Sequence, residues 1–322
     1  MNIFLTGVSG YIGRRVAEKL QAAGHQILGL ARSDHAVQWM QDQGITPHRG
    51  DLFDGPSLTQ AALLADGVIH LGAAVGPAWA EGDRIAVHAL LDALAGSGKP
   101  FIYTSGTPIY GDTSLTVVDE DAPLNPPPFF AWRPRVEQQV LAAALQDARS
   151  IVLRPATVYG RGGGSSLLLL LREAQQEDVA HYVGTGENRW STVHVDDLAD
   201  LYVLALERAS AGAVFNAAAG ASVSLKELAT AISFAIGRER SVASWTLEQA
   251  RAALGPRADF FAMNQHVSGA KATLLLGWNP QAPSLLYDVA YGSYRIAKGR
   301  QDERGVNESS PKQELLVLCV NV

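Results

Sequence analysis

An α/β fold, a doubly wound parallel sheet with a smaller C-terminal lobe, is what this chain predicts from three observations. Short apolar, often β-branched runs (NIFLT, HQILGL, GVIHL, PFIYT, SIVLRP and AVFNAA) alternate with stretches of helical spacing, the pattern of a parallel sheet covered on both faces. A glycine-rich turn, TGVSGYIG, lies between the first run and the first helix. After about residue 160 the alternation loosens into short helical pieces with several Pro and Gly and the aromatics Trp245, Phe260, Phe261 and Trp278.

In the first helix Ile12, Val16, Leu20 and Ala23 recur at near-helical spacing and Gly24 ends it. In the turn before it Gly7 permits a tight bend, Gly10 lets the backbone approach a pyrophosphate, and Gly13 allows close helix packing. Ser9, Tyr11 and Ile12 share that turn, where the free N–H groups of the helix start face an anion. The second strand ends LGLARSD. Where a carboxylate would hold the ribose 2′-hydroxyl of NAD, this chain has Arg32 and Ser33, which suit a 2′-phosphate because a guanidinium donates two parallel hydrogen bonds. NADP is therefore favoured over NAD; the alternative is that Arg32 is a solvated loop residue and Asp34 takes the ribose. Gly50, Asp51 and Leu52 follow the third strand, and His70 to Ala74 end the fourth with small residues beside which a cofactor could pass. The fifth strand ends at Thr104 and runs into SGTPIYG.

With 322 residues, 47% hydrophobic and 18% charged, the chain can bury a large core, and its net charge of -6 offers no basic footprint for nucleic acid or an anionic membrane. A small-molecule partner is favoured, and a homodimer is kept as an expectation. One cysteine, Cys319, excludes an intramolecular disulfide. No leader-like segment opens the sequence and no apolar run is long enough to span a bilayer, so a soluble cytoplasmic protein is expected. The eight histidines show no metal-ligand spacing. Residues 1–298 read as one unit, about 1–160 a dinucleotide-binding core and about 161–298 the remaining strands and lobe. Residues 299–322 read as a flexible tail ending in the strand-like ELLVLCVNV.

In order, TGVSGYIG, GDL, HLGAA, YTSGTPIYG, LRPATVYGRGG and STVHVDDLADLYVLAL resemble the extended short-chain dehydrogenase/reductase superfamily, the NAD-dependent epimerase/dehydratase type, over roughly residues 1–298. The resemblance implies a seven-stranded Rossmann sheet, a substrate lobe, and a catalytic Ser/Thr, Tyr and Lys. It also implies that Asp51 and Leu52 border an adenine, Leu71, Gly72 and Ala73 the ribose and phosphates, and Pro155 the nicotinamide, with Thr104 and Arg133 close by.

Two catalytic positions depart from that pattern. Counting back from Glu137 places Arg133 where lysine is expected and Phe129 where tyrosine is expected, and no tyrosine lies between Tyr110 and Tyr159. The literal Tyr294-to-Lys298 spacing, in a C-terminal helix, is a coincidence of sequence. Phenylalanine has no proton to give, and such an acid typically contributes about 10²–10⁴-fold. Arg133 supplies charge but relays no proton. Thr107 and Ser105 are the hydroxyls that could polarise a substrate oxygen, Gly106 occupying the usual serine position, and Tyr110 and Tyr159 are candidate substitute acids. HVDD reads as a strand end followed by a helix capped by Asp196; Arg189 or Trp190 could reach a ligand or sit in a surface turn. Trp245, Phe260, Phe261 and Met263 could wall an apolar pocket. The favoured function is an atypical NADP(H)-dependent oxidoreductase passing hydride to or from a small, fairly apolar molecule. The alternatives are an NAD-dependent nucleotide-sugar epimerase/dehydratase and a catalytically degenerate NADP(H)-binding sensor or scaffold.

Overall fold

The computed structural model describes residues 1–74 and 76–295. The tail, its strand-like end and Lys298 of the Tyr294–Lys298 pair lie outside the described residues. β1 (Asn2–Thr6), β2 (Gln26–Ala31), β3 (Thr46–Arg49), β4 (Gly67–His70), β5 (Pro100–Thr104), β6 (Arg149–Pro155) and β10 (Ala213–Ala217) form a seven-stranded parallel sheet in the order β10-β6-β5-β4-β1-β2-β3. The strand order reverses between β1 and β4, which puts the crevice of an open α/β sheet at their carboxyl ends.

Alternation along the strands explains the two helical layers. Ile3 and Leu5 of β1 pack with Ile27, Ile69, Ile102 and Ile151 against α1 (Tyr11–Ala22) and α7 (Val195–Arg208). Phe4 points the other way, with Val68, Phe101 and Tyr103, against α3 (Gly55–Leu64), α4 (Trp79–Leu94) and α5 (Arg133–Ala142). α2 (Asp34–Asp42) flanks the β2–β3 edge, its N-cap Ser33 accepting from the Ala36 N–H.

The lobe has its own core, from Leu167 and Trp190 to Val289. It contains the sheet β11-β9-β7, of β7 (Thr157–Tyr159), β9 (Arg189–His194) and β11 (Ala219–Ser224), and the parallel pair β8 (Ala180–Val183) and β12 (Val242–Trp245). α6 (Ser165–Glu177), α8 (Leu225–Ala235), α9 (Leu247–Leu254), α10 (Ala258–Ala262) and α12 (Leu285–Tyr291) complete it, while α11 (Ala270–Leu276) returns to the main sheet beside β10. Tyr294 lies beyond α12, not within a helix: its hydroxyl accepts from the Gly160 N–H at 2.6 Å and donates to the Gly163 carbonyl at 2.5 Å. The helix after HVDD is capped differently from expectation. The His194 ring accepts from the Asp196 N–H, which frees the Asp196 carboxylate to pair with Arg15 at 2.7 Å and Arg161 at 2.8 Å. Among the described residues no helix is long and apolar enough to cross a membrane.

In the lobe, Glu173 of α6 lies 2.9 Å from the His181 Nδ1 of β8, and His181 stacks on Trp245 at 4.2 Å. Burial, with Glu177 nearby, pushes the Glu173 carboxyl up to about 7, and burial lowers His181. Both shifts favour a neutral pair, in which the carboxyl donates to the imidazole. A carboxyl raised on folding contributes stability that is fully present below its unfolded pKa and is lost as pH rises through its folded value. His181 contributes with the opposite sign and is common to wild type and a Glu173 variant. Glu173→Gln is therefore expected to gain stability relative to wild type as pH rises from about 4.5 through about 7, read as the difference between their denaturation midpoints; a pH-independent difference would refute it.

Candidate active site

Two adjoining stretches of the sheet's carboxyl edge are concave. The first, about 1160 Å³ with its open mouth, lies over the ends of β1 to β4. Gly7, Ser9, Gly10, Tyr11, Ile12 and Gly13 form its floor, with Arg32, Ser33, Asp51, Leu52, Leu71, Gly72 and Ala73 around it. Every one of these comes from the sequence reading. Gly7 has φ +70°, and a Cβ on Gly13 would sit 2.0 Å from the Gly7 carbonyl oxygen, so the turn packs with no room for a side chain. α1 begins at N-cap Gly10 with no side-chain cap, which leaves its first-turn amides for an anion. Arg32 is exposed and makes no ion pair among the described residues, whereas Asp34 pairs with Arg49 on the outer face. Arg14, which the sequence reading passed over, donates from Nε to the Ser9 carbonyl at 2.8 Å and lies 4.5 Å over the Trp39 ring.

The second concavity, about 830 Å³, lies over the ends of β5 and β6. Ser105, Gly106, Thr107, Phe129, Arg133, Pro155, Trp79, Phe130 and Phe260 line it, together with Gly164, Ser165, Ser166 and Arg257. Phe129 and Arg133 are both present, but not on one helix. Pro134, with no N–H to bond back to Phe130, stands in the first turn of α5, which begins at Arg133, and Phe129 sits in a short 3-10 turn that opens on Pro128. Arg133 is 4% exposed, donates from Nη1 to the Thr104 carbonyl at 3.0 Å, and lies 4.7 Å and 4.9 Å over the rings of Trp79 and Trp132. Its Nε and the fully buried Ser105 Oγ have no hydrogen-bond partner among the described residues.

Several expectations need correction. Tyr110 does not face the cavity; its hydroxyl donates to Asn216 at 2.8 Å and accepts from Arg154 at 2.6 Å, beside the Arg154–Glu137 ion pair, and burial raises its pKa. Tyr159 donates to the Pro283 carbonyl at 2.7 Å. Thr104 turns its hydroxyl into the core, 2.6 Å from the Tyr202 hydroxyl, and offers only its carbonyl to Arg133. Of the proposed aromatic wall only Phe260 lines the cavity: Phe261 packs on Trp190 in the lobe core, Trp245 stacks on His181, and the Met263 carbonyl accepts from Asn188. Arg189 donates to the Ser222 carbonyl, and Trp190 is fully buried. Trp79 and Phe130 take the places those residues leave; their signal, an aromatic opening α4 and another beside Phe129, is weak in sequence because either could be core.

A buried network fixes the ground between the two concavities. Thr6 Oγ accepts from the N–H groups of Leu71 at 3.1 Å and Gly72 at 2.9 Å. Both lone pairs are then used, so its proton goes to His70 Nδ1 at 2.8 Å. His70 Nε2 therefore carries the hydrogen and donates to Asp83 at 3.3 Å, while Tyr103 donates to the other Asp83 oxygen at 2.7 Å.

The profile described as NAD dependent epimerase/dehydratase family matches residues 3–218. An uncharacterized protein of Schizosaccharomyces pombe is 32% identical over 300 residues, 91% of this chain and 100% of its own length. A 4-hydroxy-2-methyl-3-oxo-4-farnesyl-3,4-dihydroquinoline-1-oxide ketoreductase of Stigmatella aurantiaca is 30% identical over 277 residues, 79% of this chain and 78% of its own. Among solved structures, a dTDP-glucose 4,6-dehydratase of Streptomyces venezuelae with NAD bound aligns at a TM-score of 0.77 over 92% of this chain and 96% of its own, with 20% identity, a likeness of fold.

Thr6→Val is expected to leave the Leu71 and Gly72 amides and His70 Nδ1 without the partner Thr6 gives them, a cost of roughly 1–3 kcal/mol for each unsatisfied buried group. Denaturant unfolding would show the loss, and an unchanged midpoint would contradict the assigned network.

Proposed function

Because the chain belongs to the NAD dependent epimerase/dehydratase family, we propose that it is a reductase of that family, taking hydride from NADPH to a small, fairly apolar acceptor. The observation that carries this reading is the presence, in one aromatic cavity, of the buried Arg133 guanidinium and the Ser105 hydroxyl, each with a polar atom unpartnered among the described residues. The uncapped start of α1 and the glycine cradle suit a pyrophosphate, and Arg32 suits the 2′-phosphate while Arg49 occupies Asp34. When bound, the dinucleotide supplies the hydride. A ketoreductase 30% identical, named for a farnesylated substrate, supports the apolar acceptor.

The protein's own part follows from the side chains. Ser105, with Thr107 beside it, donates a hydrogen bond to the acceptor oxygen, and Arg133 stabilises the negative charge that develops there. Arg133 holds its proton throughout. No tyrosine, histidine, lysine or acidic residue lines the cavity among the described residues, so water entering by the open mouth supplies the proton. That same lining weighs against an epimerase or dehydratase, whose first step removes a proton from an alcohol and needs a base.

NADPH is expected to exceed NADH in kcat/KM by at least about tenfold, and Arg32→Ala to erase most of that difference, the worth of one or two charge-assisted hydrogen bonds. Equal use of both dinucleotides would remove the NADP assignment. No NADPH oxidation across ketones, enones and imines would remove the reductase reading in favour of a binding protein. Phe129→Tyr would add a phenol to the cavity wall and should raise ketone reduction by about 10-fold or more, the low end or less of what a placed acid contributes; an unchanged kcat would show that Phe129 is not at the proton-donor position.

A further inference from the structure

Between β7 and α6 the chain runs through GRGGG, residues 160–164. Thr157 and Val158 before this loop, and Gly164, Ser165 and Ser166 at its end, line the aromatic cavity. Gly160, Arg161, Gly162 and Gly164 have φ of +112°, +53°, +70° and +95°, a region glycine enters freely, and glycine has the most backbone freedom to lose on being ordered. Whatever holds this loop therefore shapes one wall of the cavity.

Two sets of hydrogen bonds hold it. From the lobe, the Tyr294 hydroxyl bridges the Gly160 N–H and the Gly163 carbonyl, and Ser293 Oγ accepts from the Gly162 N–H at 2.8 Å. From the main sheet side, the Tyr11 hydroxyl donates to the Gly160 carbonyl at 2.9 Å. The Tyr11 ring lies against Gly163, where a Cβ would come within 2.1 Å of it. Tyr11 is also the first residue of α1, in the floor of the dinucleotide groove. Its backbone N–H is among the first-turn amides left for an anion in one concavity, while its hydroxyl holds the wall of the other. Burial above all, with Tyr294 next, pushes the phenol far above its ordinary value, so the proton stays on the oxygen and the bond to Gly160 is kept.

We propose that Tyr11 is a positioning residue that couples the two concavities: through the Gly160 carbonyl it lets a dinucleotide in the first strengthen the binding of a carbonyl compound in the second. The proposal rests on the reductase reading for what fills each concavity. A dinucleotide on the start of α1 fixes the backbone of Tyr11 and, with it, the hydroxyl. Freedom of the 160–164 loop is then lost in the first binding step, and the second ligand meets a wall already ordered, which is positive coupling without a change of shape. One hydrogen bond sets its size, a factor of about three to ten, and the effect of each ligand on the other is equal. Arg15, Asp196 and Arg161 also link α1 to the loop, but Arg161 is half exposed, and such pairs are weak and screened by salt.

Calorimetric titration of 4-phenylbutan-2-one into the full chain, with and without saturating NADP+, reads the coupling without turnover. Wild type should bind the ketone about three- to tenfold tighter with NADP+ present. Tyr11→Phe, which removes only the hydroxyl, should bring that ratio close to one. High salt, with NADP+ kept saturating, should leave the wild-type ratio in place. Ser293→Ala loosens the same loop from the lobe and should weaken ketone binding equally with and without NADP+, so the ratio is kept. NADP+ should also slow backbone amide exchange across residues 160–166 in wild type and not in Tyr11→Phe. Equal ratios in wild type and Tyr11→Phe, a ratio that salt or Ser293→Ala abolishes, or exchange that NADP+ slows in both proteins or in neither, overturns the role of Tyr11 and leaves the reductase reading standing. No ketone binding with NADP+ present overturns the coupling whatever the turnover assay shows. Coupling lost in Tyr11→Phe, with NADPH oxidised by none of the ketones, enones and imines, supports the role of Tyr11 and overturns the reductase reading.

Discussion

The hydroxyl of Thr6, at the last position of β1, is where the candidate site is anchored. By accepting from Leu71 and Gly72 it fixes the backbone that walls the dinucleotide groove, and by donating to His70 it fixes that ring's tautomer. His70 then holds Asp83, which Tyr103 holds from β5. One hydrogen-bonded chain thus ties β1, β4, β5 and α4 together at the carboxyl edge. Asp83 lies one helical turn from Trp79 on α4, so pinning Asp83 also sets the indole that lies over Arg133. Satisfied polar networks of this kind give a buried edge a single arrangement, because each alternative leaves a donor or acceptor unpaired.

Around that anchor the two concavities differ in character. The dinucleotide side is built from backbone, since glycines and uncapped amides approach an anion more closely than side chains allow. The reaction side is built from rings. Trp79 meets Phe129, Phe130 and Trp132 edge-on, and Phe130 meets Phe260. Within this setting the Arg133 cation gains attraction from the indole faces but has no ion-pair partner among the described residues. A cavity so lined offers a buried positive charge and a hydroxyl.

The tyrosines show how far composition misleads about catalysis. Tyr110 and Tyr159 follow strands, as active-site phenols can, yet each is committed to a structural hydrogen bond, and burial raises both above the ordinary phenol value. The aromatic wall was misplaced for a related reason. Phe261 and Trp245 have the same local signal as Phe260, and only the packing of α10 and β12 within the lobe decides which ring faces the cavity.

What the sequence determined by itself was local and periodic. β-branched runs at strand length specify the parallel sheet, and TGVSGYIG specifies a turn that only glycine can make, so the glycine floor of the groove over β1 to β4 was legible from spacing along the chain. Tertiary structure alone decided which hydroxyls are spent and which are free. These depend on partners distant in sequence, 106 residues from Tyr110 to Asn216 and 64 from Thr6 to His70, and no local pattern records a contact made across the fold.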